Sequence, residues 1–207
     1  MKIAKAALIV LALALGGCAT MSKDECLTVD WRTVGYEDGV AGRSGDRIGS
    51  YRKACADHGV RPDLDAYQAG REEGLREYCQ PENGFRVGSS GGSYGGACPA
   101  ELAPRFAVAY ESGRQLYVRE RRVDNATSQL YSKRQEMERI EHALANRGFV
   151  VVDPDTTSEQ RAQALLDTKQ LAERYGRLEA EVEQLEKDKL EYERELEEYR
   201  TQVAYAP

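Results

Sequence analysis

Ten residues near the end of this 207-residue chain follow one another at alternating steps of four and three: Leu171, Tyr175, Leu178, Val182, Leu185, Lys189, Tyr192, Leu196, Tyr199 and Val203. That spacing puts all ten on one stripe of an α-helix, as the a/d seam of a heptad repeat, with Glu, Lys and Arg filling most other positions. An apolar stripe of this length must be covered by something. Lys189 and three tyrosines soften it, so it is no strong zipper. Thr157 with Gln160 forms the pattern of a capping box, so coiled-coil character is expected over 157–204. Upstream, over 118–147, Val123, Leu130, Met137 and Leu144 recur every seven residues, with Ile140 adding to their face. Gly148 to Thr156 reads as an apolar run with turn residues. Two helices of about 45 residues would each reach roughly 65 Å. The sequence leaves two ways to cover the seam: an antiparallel hairpin folded at that turn, or pairing with a second copy of the chain.

The first half obeys different rules. Residues 26–117 hold most of the glycine and the only tryptophan, Trp31. A pattern recurs there: an aromatic, a small residue, a glycine and an aromatic at offsets 0, 3, 7 and 11. Tyr67, Gly70, Gly74 and Tyr78 form one copy; Phe106, Ala109, Gly113 and Tyr117 form another. Trp31, Gly35 and Gly39 make a looser third. Such offsets share a helical face. Glycine inside a helix costs about 1 kcal/mol relative to alanine, so its repeated use implies that something approaches these faces closely. The simplest occupant is another helix of the same region; the alternative is a groove for a glycan or small ligand. On that alternative Trp31, Tyr67, Tyr78 and Phe106 are the candidate binding residues. Asp65 with Gln68 reads as a capping box, Pro104 as a first-turn residue, and Arg47–His58 as a short helix stopped by Gly59. Residues 84–96, GFRVGSSGGSYGG, read as a flexible surface loop. The expected fold is mainly α: short disulfide-linked helices with a Gly-rich loop, then a long helical hairpin or coiled coil.

The beginning of the chain bears on location. Lys2 and Lys5 precede an unbroken apolar run, Ala6 to Leu15. A membrane-spanning helix needs about 20 apolar residues, whereas a run this short suits a secretory signal. Leu15-Gly16-Gly17-Cys18 resembles the lipobox of bacterial lipoproteins. The resemblance implies that residues 1–17 are a cleaved signal, that Cys18 carries a covalent lipid, and that 18–25 form a tether. With Ala19 next, it implies the outer membrane and its periplasmic face. The division expected beyond is a small Cys/Gly-rich helical domain over 26–117 and long charged helices over 118–207. Losing Lys2 and Lys5 takes the formal charge from −6 to −8. That balance argues against a nucleic-acid partner and against polybasic attachment to anionic lipid.

Four cysteines remain: Cys26, Cys55, Cys79 and Cys98. In an oxidising compartment an even number reads as disulfides. Cys79–Cys98 is preferred because the pair brackets the Gly/Ser-rich segment, which leaves Cys26–Cys55. The competing metal site would start from the Cys55/His58 spacing, but structural zinc sites usually show two such short spacings, and only one exists. No metal and no cofactor beyond the lipid are expected. His58 and His142 have no nucleophile-and-acid setting around them. Asp38, Glu72, Glu73 and Glu111 read as ion-paired helix surfaces rather than as a general acid and base. No catalytic residue is assigned, and the chain is expected not to be an enzyme.

The residues Trp31…Gly35-x-x-Asp38-Gly39-x-x-Gly42, then Tyr67-x-x-Gly70-x-x-x-Gly74…Tyr78-Cys79 and the Gly-rich stretch to Cys98, resemble a bacterial lipoprotein family, domain of unknown function 2799, over about residues 18–120. The resemblance implies export, lipid anchoring and a cysteine pattern, and no activity. The expected role is structural or interactive. Helices 118–147 and 157–203 would serve a protein partner or self-association, with a glycan- or ligand-binding module as the alternative.

Overall fold

The computed structural model describes residues 21–204, so the expected signal, Cys18 and the expected lipidation lie outside the described residues. Within them the chain forms α1 (Lys23–Thr28), α2 (Trp31–Val40), α3 (Arg47–Ala56), α4 (Leu64–Tyr78), α5 (Pro81–Ser89), α6 (Ala103–Val152) and α7 (Ser158–Ala204), with no strand. Two compact units divide between Gly113 and Arg114. The expected division, after residue 117, falls one helical turn later.

In the first unit, local capping sets the helix starts. Ser22 and Glu25 form a reciprocal capping box on α1. Asp30 accepts from the Arg32 N–H at the start of α2. On α4 the cap is Asp63, which accepts from the Ala66 N–H at 3.0 Å. Asp65, expected in that role, instead lies in the first turn, where its charge favours the helix dipole. Gly59 closes the segment after α3 with φ +71°, a conformation that suits a residue without a side chain.

Both disulfides join the cysteines paired in the sequence reading: Cys26–Cys55, with Cα atoms 5.5 Å apart, and Cys79–Cys98, at 5.7 Å. Each sits in its own apolar cluster. The first gathers Cys26, Trp31, Ile48, Tyr51, Cys55 and Tyr67. The second gathers Leu75, Cys79, Cys98 and Phe106, with Tyr78, Tyr94 and Tyr110 against it.

The glycine stripes are helix crossings. α2 lies along α4 with backbone against backbone. A β-carbon on Gly35 would run into the Tyr67 carbonyl, one on Gly39 into that of Arg71, one on Gly70 into that of Arg32, and one on Gly74 into that of Tyr36. The relation is reciprocal: each helix lays its Gly-x-x-x-Gly face on the other's carbonyls. A second crossing repeats the device. A β-carbon on Gly84 of α5 would lie 2.6 Å from the Phe106 carbonyl oxygen, and one on Gly113 of α6 would strike that of Phe85.

This second crossing corrects the reading of 84–96 as a flexible loop. Residues 84–89 are helical, because their glycines serve the same close approach as those of α2 and α4. The part that is loop is tied down. The Tyr94 ring sits 4.7 Å from Phe106 and 5.8 Å from Tyr110, and the Tyr110 hydroxyl donates to the Gly92 carbonyl at 3.1 Å.

The second unit is an antiparallel hairpin, the first of the two alternatives. All ten a/d residues of α7 are buried or half-buried, with Leu178 and Leu196 the deepest. They face Ala126, Leu130 and Ile140 of α6, which are also buried. Ion pairs fix the register: Arg122–Glu195 at 3.2 Å, Arg134–Glu186 at 2.5 Å, Arg147–Asp167 at 3.0 Å, and Arg200–Glu120 at 2.9 Å. Exposed pairs of this kind each contribute about 0–1 kcal/mol, so their value is alignment. Arg119 stacks over the Tyr199 ring at 4.2 Å. The turn is shorter than expected, because α6 continues through 148–152. Thr157 and Gln160 cap α7 reciprocally, and Arg161 donates to the carbonyls of Val151, Asp153 and Thr156.

Candidate functional site

The densest polar constellation among the described residues centres on Asp38, which is 1% exposed. Asp38 lies one turn beyond Gly35 on the crossing face of α2, so the helix carries its carboxylate inward. Three segments supply donors to it. From α3, the Tyr51 hydroxyl donates to both oxygens at 3.1 Å. From α4, the Tyr67 hydroxyl donates at 2.8 Å. From the α2–α3 connection, Arg43 donates at 3.0 Å. Arg47 of α3 stands 3.4 Å from the same carboxylate and donates from Nε to the Tyr51 hydroxyl at 2.9 Å. A buried carboxylate is costly unless paired and hydrogen-bonded, and here it is both.

The electrostatics follow from that arrangement. Burial, and then the hydrogen bond to Asp38, push the Tyr67 phenol well above its usual range. The hydrogen bond to the Tyr51 hydroxyl raises the Arg47 guanidinium. Tyr78 is also raised, chiefly by burial. Tyr67 and Arg47 therefore hold their protons tightly within the Asp38 centre. Its carboxylate is buried while Arg43 and Arg47 reach solvent, and what it does is join α2, α3 and α4 through one charge. Reading Asp38 as an ion-paired helix surface is thus corrected: it is the most buried charged side chain described. The signal was present, since a residue three after Gly35 shares the glycine face.

Beside this centre a pocket of about 280 Å³ opens between α3 and α4. Ile48, Leu64 and Tyr67 give it apolar walls, Gly45 leaves one side thin, and Gln68, Arg71 and Glu72 bring polar groups. Nothing in the local sequence pattern distinguishes Arg71.

The four candidate binding residues are placed as follows. Trp31, Tyr67 and Phe106 are core residues at 8%, 1% and 0% exposure, and Tyr78 is half-buried. Trp31 and Tyr67 both neighbour Tyr51, with ring centroids 6.3 Å apart in each pair, and Tyr78 stacks on Phe106 at 5.2 Å. The structure therefore gathers them into two packed clusters rather than one open groove; Tyr67 also borders the pocket beside Asp38. His142 is exposed on α6, and His58 is exposed after α3. Among the described residues no group of three or more His, Cys, Asp or Glu side chains is placed to hold a metal ion. None of the described helices is long and apolar enough to cross a membrane.

The fold and its centre define a class: a small helical domain with two disulfides and two glycine-mediated crossings, followed by a long helical hairpin. Residues 30–115 match the model of the family described as protein of unknown function (DUF2799). That is the family its Gly, Tyr and Cys motifs resemble. No curated protein and no solved structure matches the chain.

Proposed function

We propose that this chain is an envelope lipoprotein, held by a lipid on Cys18 at the periplasmic face of the outer membrane, with a structural or protein-interaction role rather than a catalytic one. The observation that supports an interaction role is the surface of the hairpin. Its seam is satisfied within the chain, yet Phe149 (70% exposed), Val152 (74%), Leu165 (55%) and Leu166 (57%) stand in water around the turn. Clustered exposed apolar side chains mark interaction surfaces more often than isolated ones do. The partner surface on this reading is the outside of helices 118–147 and 157–203 and the turn joining them, since a partner using the α7 a/d seam would have to displace α6.

Site-specific photocrosslinking in cells tests this. Probes at Phe149 and Leu166 are expected to capture a defined protein or a second copy, while a probe at the seam residue Leu178 captures only the chain itself. The reading fails if deletion of 157–207 leaves every crosslinked partner and the oligomeric state unchanged. The anchoring part is tested separately: Cys18→Ser is expected to abolish lipid labelling and release the protein from the membrane fraction.

A further inference from the structure

The pocket between α3 and α4 carries a cation that the Asp38 centre does not use. Arg71 lines it, and Arg71 differs from its neighbours. Arg43 and Arg47 are both spent on Asp38. Arg71 forms no ion pair within 4 Å among the described residues; one terminal nitrogen donates to the Arg43 carbonyl at 2.9 Å. Its Nε is buried and has no hydrogen-bond partner. An unsatisfied buried donor is unfavourable, more so on a charged group. A notional β-carbon on Gly45 would sit 3.6–3.8 Å from the guanidinium, ordinary contact distance, so Gly45 packs beside the charge without adding a side chain there. Ile48, Leu64 and Tyr67 supply the apolar part of the lining, with Leu64 42% exposed.

We infer that this pocket is a binding site for a small carboxylate with a short aliphatic body, in which Arg71 takes the carboxylate and Ile48, Leu64 and Tyr67 take the apolar part. A guanidinium presents its donors in a planar fork that matches a carboxylate. A pocket of about 280 Å³ is at the small end of ligand sites. That size fits a short carboxylic acid or the end of a peptide, not a sugar chain. Glu72 at the rim adds a preference: a ligand with an amino group beside its carboxylate gains a second contact, whereas a dicarboxylate is repelled.

The test is ligand titration of the intact, oxidised protein followed by NMR, with butyrate, 2-aminobutyrate, succinate and butylamine as probes at millimolar concentration. Butyrate and 2-aminobutyrate are expected to shift resonances of α3 and α4, 2-aminobutyrate the more tightly, with succinate weaker than both. Arg71→Gln is expected to weaken butyrate roughly tenfold, the cost of losing a charge-assisted pair. Leu64→Ala is expected to weaken it several-fold without touching the charge. Because Arg71 also holds the Arg43 carbonyl, Arg71→Lys serves as a second variant: it keeps the cation, and is expected to keep partial binding with carboxylate selectivity intact. Absence of shifts with butyrate and 2-aminobutyrate, tighter binding of butylamine than of butyrate, or butyrate binding that Arg71→Gln leaves unchanged in a folded protein would each overturn the assignment.

Discussion

Tyr67 carries two jobs in one side chain. Its ring fills the first core cluster and its hydroxyl donates to Asp38 at 2.8 Å. Tyr67→Phe keeps the ring and removes the donor, so we expect a loss of about 2 kcal/mol in chemical denaturation, the usual cost of a hydrogen bond to a charged group. The same pair gives a pH signature. The folded-state phenol is raised above its unfolded value, so the stabilisation it represents is fully present below the unfolded phenol's pKa of about 10. It is lost as pH climbs from there through the higher folded value. Denaturation midpoints are expected to fall above about pH 10, and the fall should be shallower in Tyr67→Phe. An equal fall in the variant would mean that other groups control alkaline unfolding. The burial of Asp38 was readable from its place on the glycine face, but its partners were not, because they come from positions 43, 47, 51 and 67. Each of those is an unremarkable Arg or Tyr until the helices converge.

At the scale of elements, two kinds of glycine must be separated. Gly70 faces the Arg32 carbonyl so closely that a methyl group has no room, and both neighbours are backbone, which cannot swing aside. Gly49, inside α3, has nothing within 4 Å of where a methyl would sit. Gly70→Ala is therefore expected to cost about 3 kcal/mol or more by forcing α2 from α4. Gly49→Ala is expected to gain up to about 1 kcal/mol from helix propensity. Thermal melts of the two variants should move in opposite directions; a shared sign would refute the crossing as the reason for these glycines. What the sequence made legible at this scale was periodicity. The α7 seam was readable because ten residues repeat one spacing, and the disulfide pairing because one pair brackets a short segment. The helix at 81–89 was missed because its glycine content was weighed as composition. Its Gly84 and Gly88 stand four apart, as Gly35 and Gly39 do, and that spacing was the better guide. Whether the seam would close within the chain was not legible, since an a/d stripe is equally satisfied by either partner. The arginine and glutamate pairs that align α6 with α7 acquire meaning only once the turn is placed.

For the whole molecule, the two units rest on different physics and should fail differently. The first is small and holds both disulfides, which close separations of 29 and 19 residues. Cross-links of that span stabilise by about 3–4 kcal/mol each in the chain-entropy account. The second unit has no cysteine and depends on its long seam. Adding reductant is expected to lower an early transition in near-ultraviolet circular dichroism, where Trp31 and the clustered tyrosines report. The far-ultraviolet signal dominated by the hairpin should persist to the same temperature as before. A single transition shifting as one would show that the units unfold together. The paired glycine faces of α2 and α4 also have a mechanical meaning. Four notches, each filled by a carbonyl of the opposite helix, resist sliding the way meshed teeth do. A shift of one residue would bring a side chain to a place where no β-carbon fits. Tension pulling along either helix thus meets a detent rather than a greased surface, and the joint should hold its register until it gives way all at once.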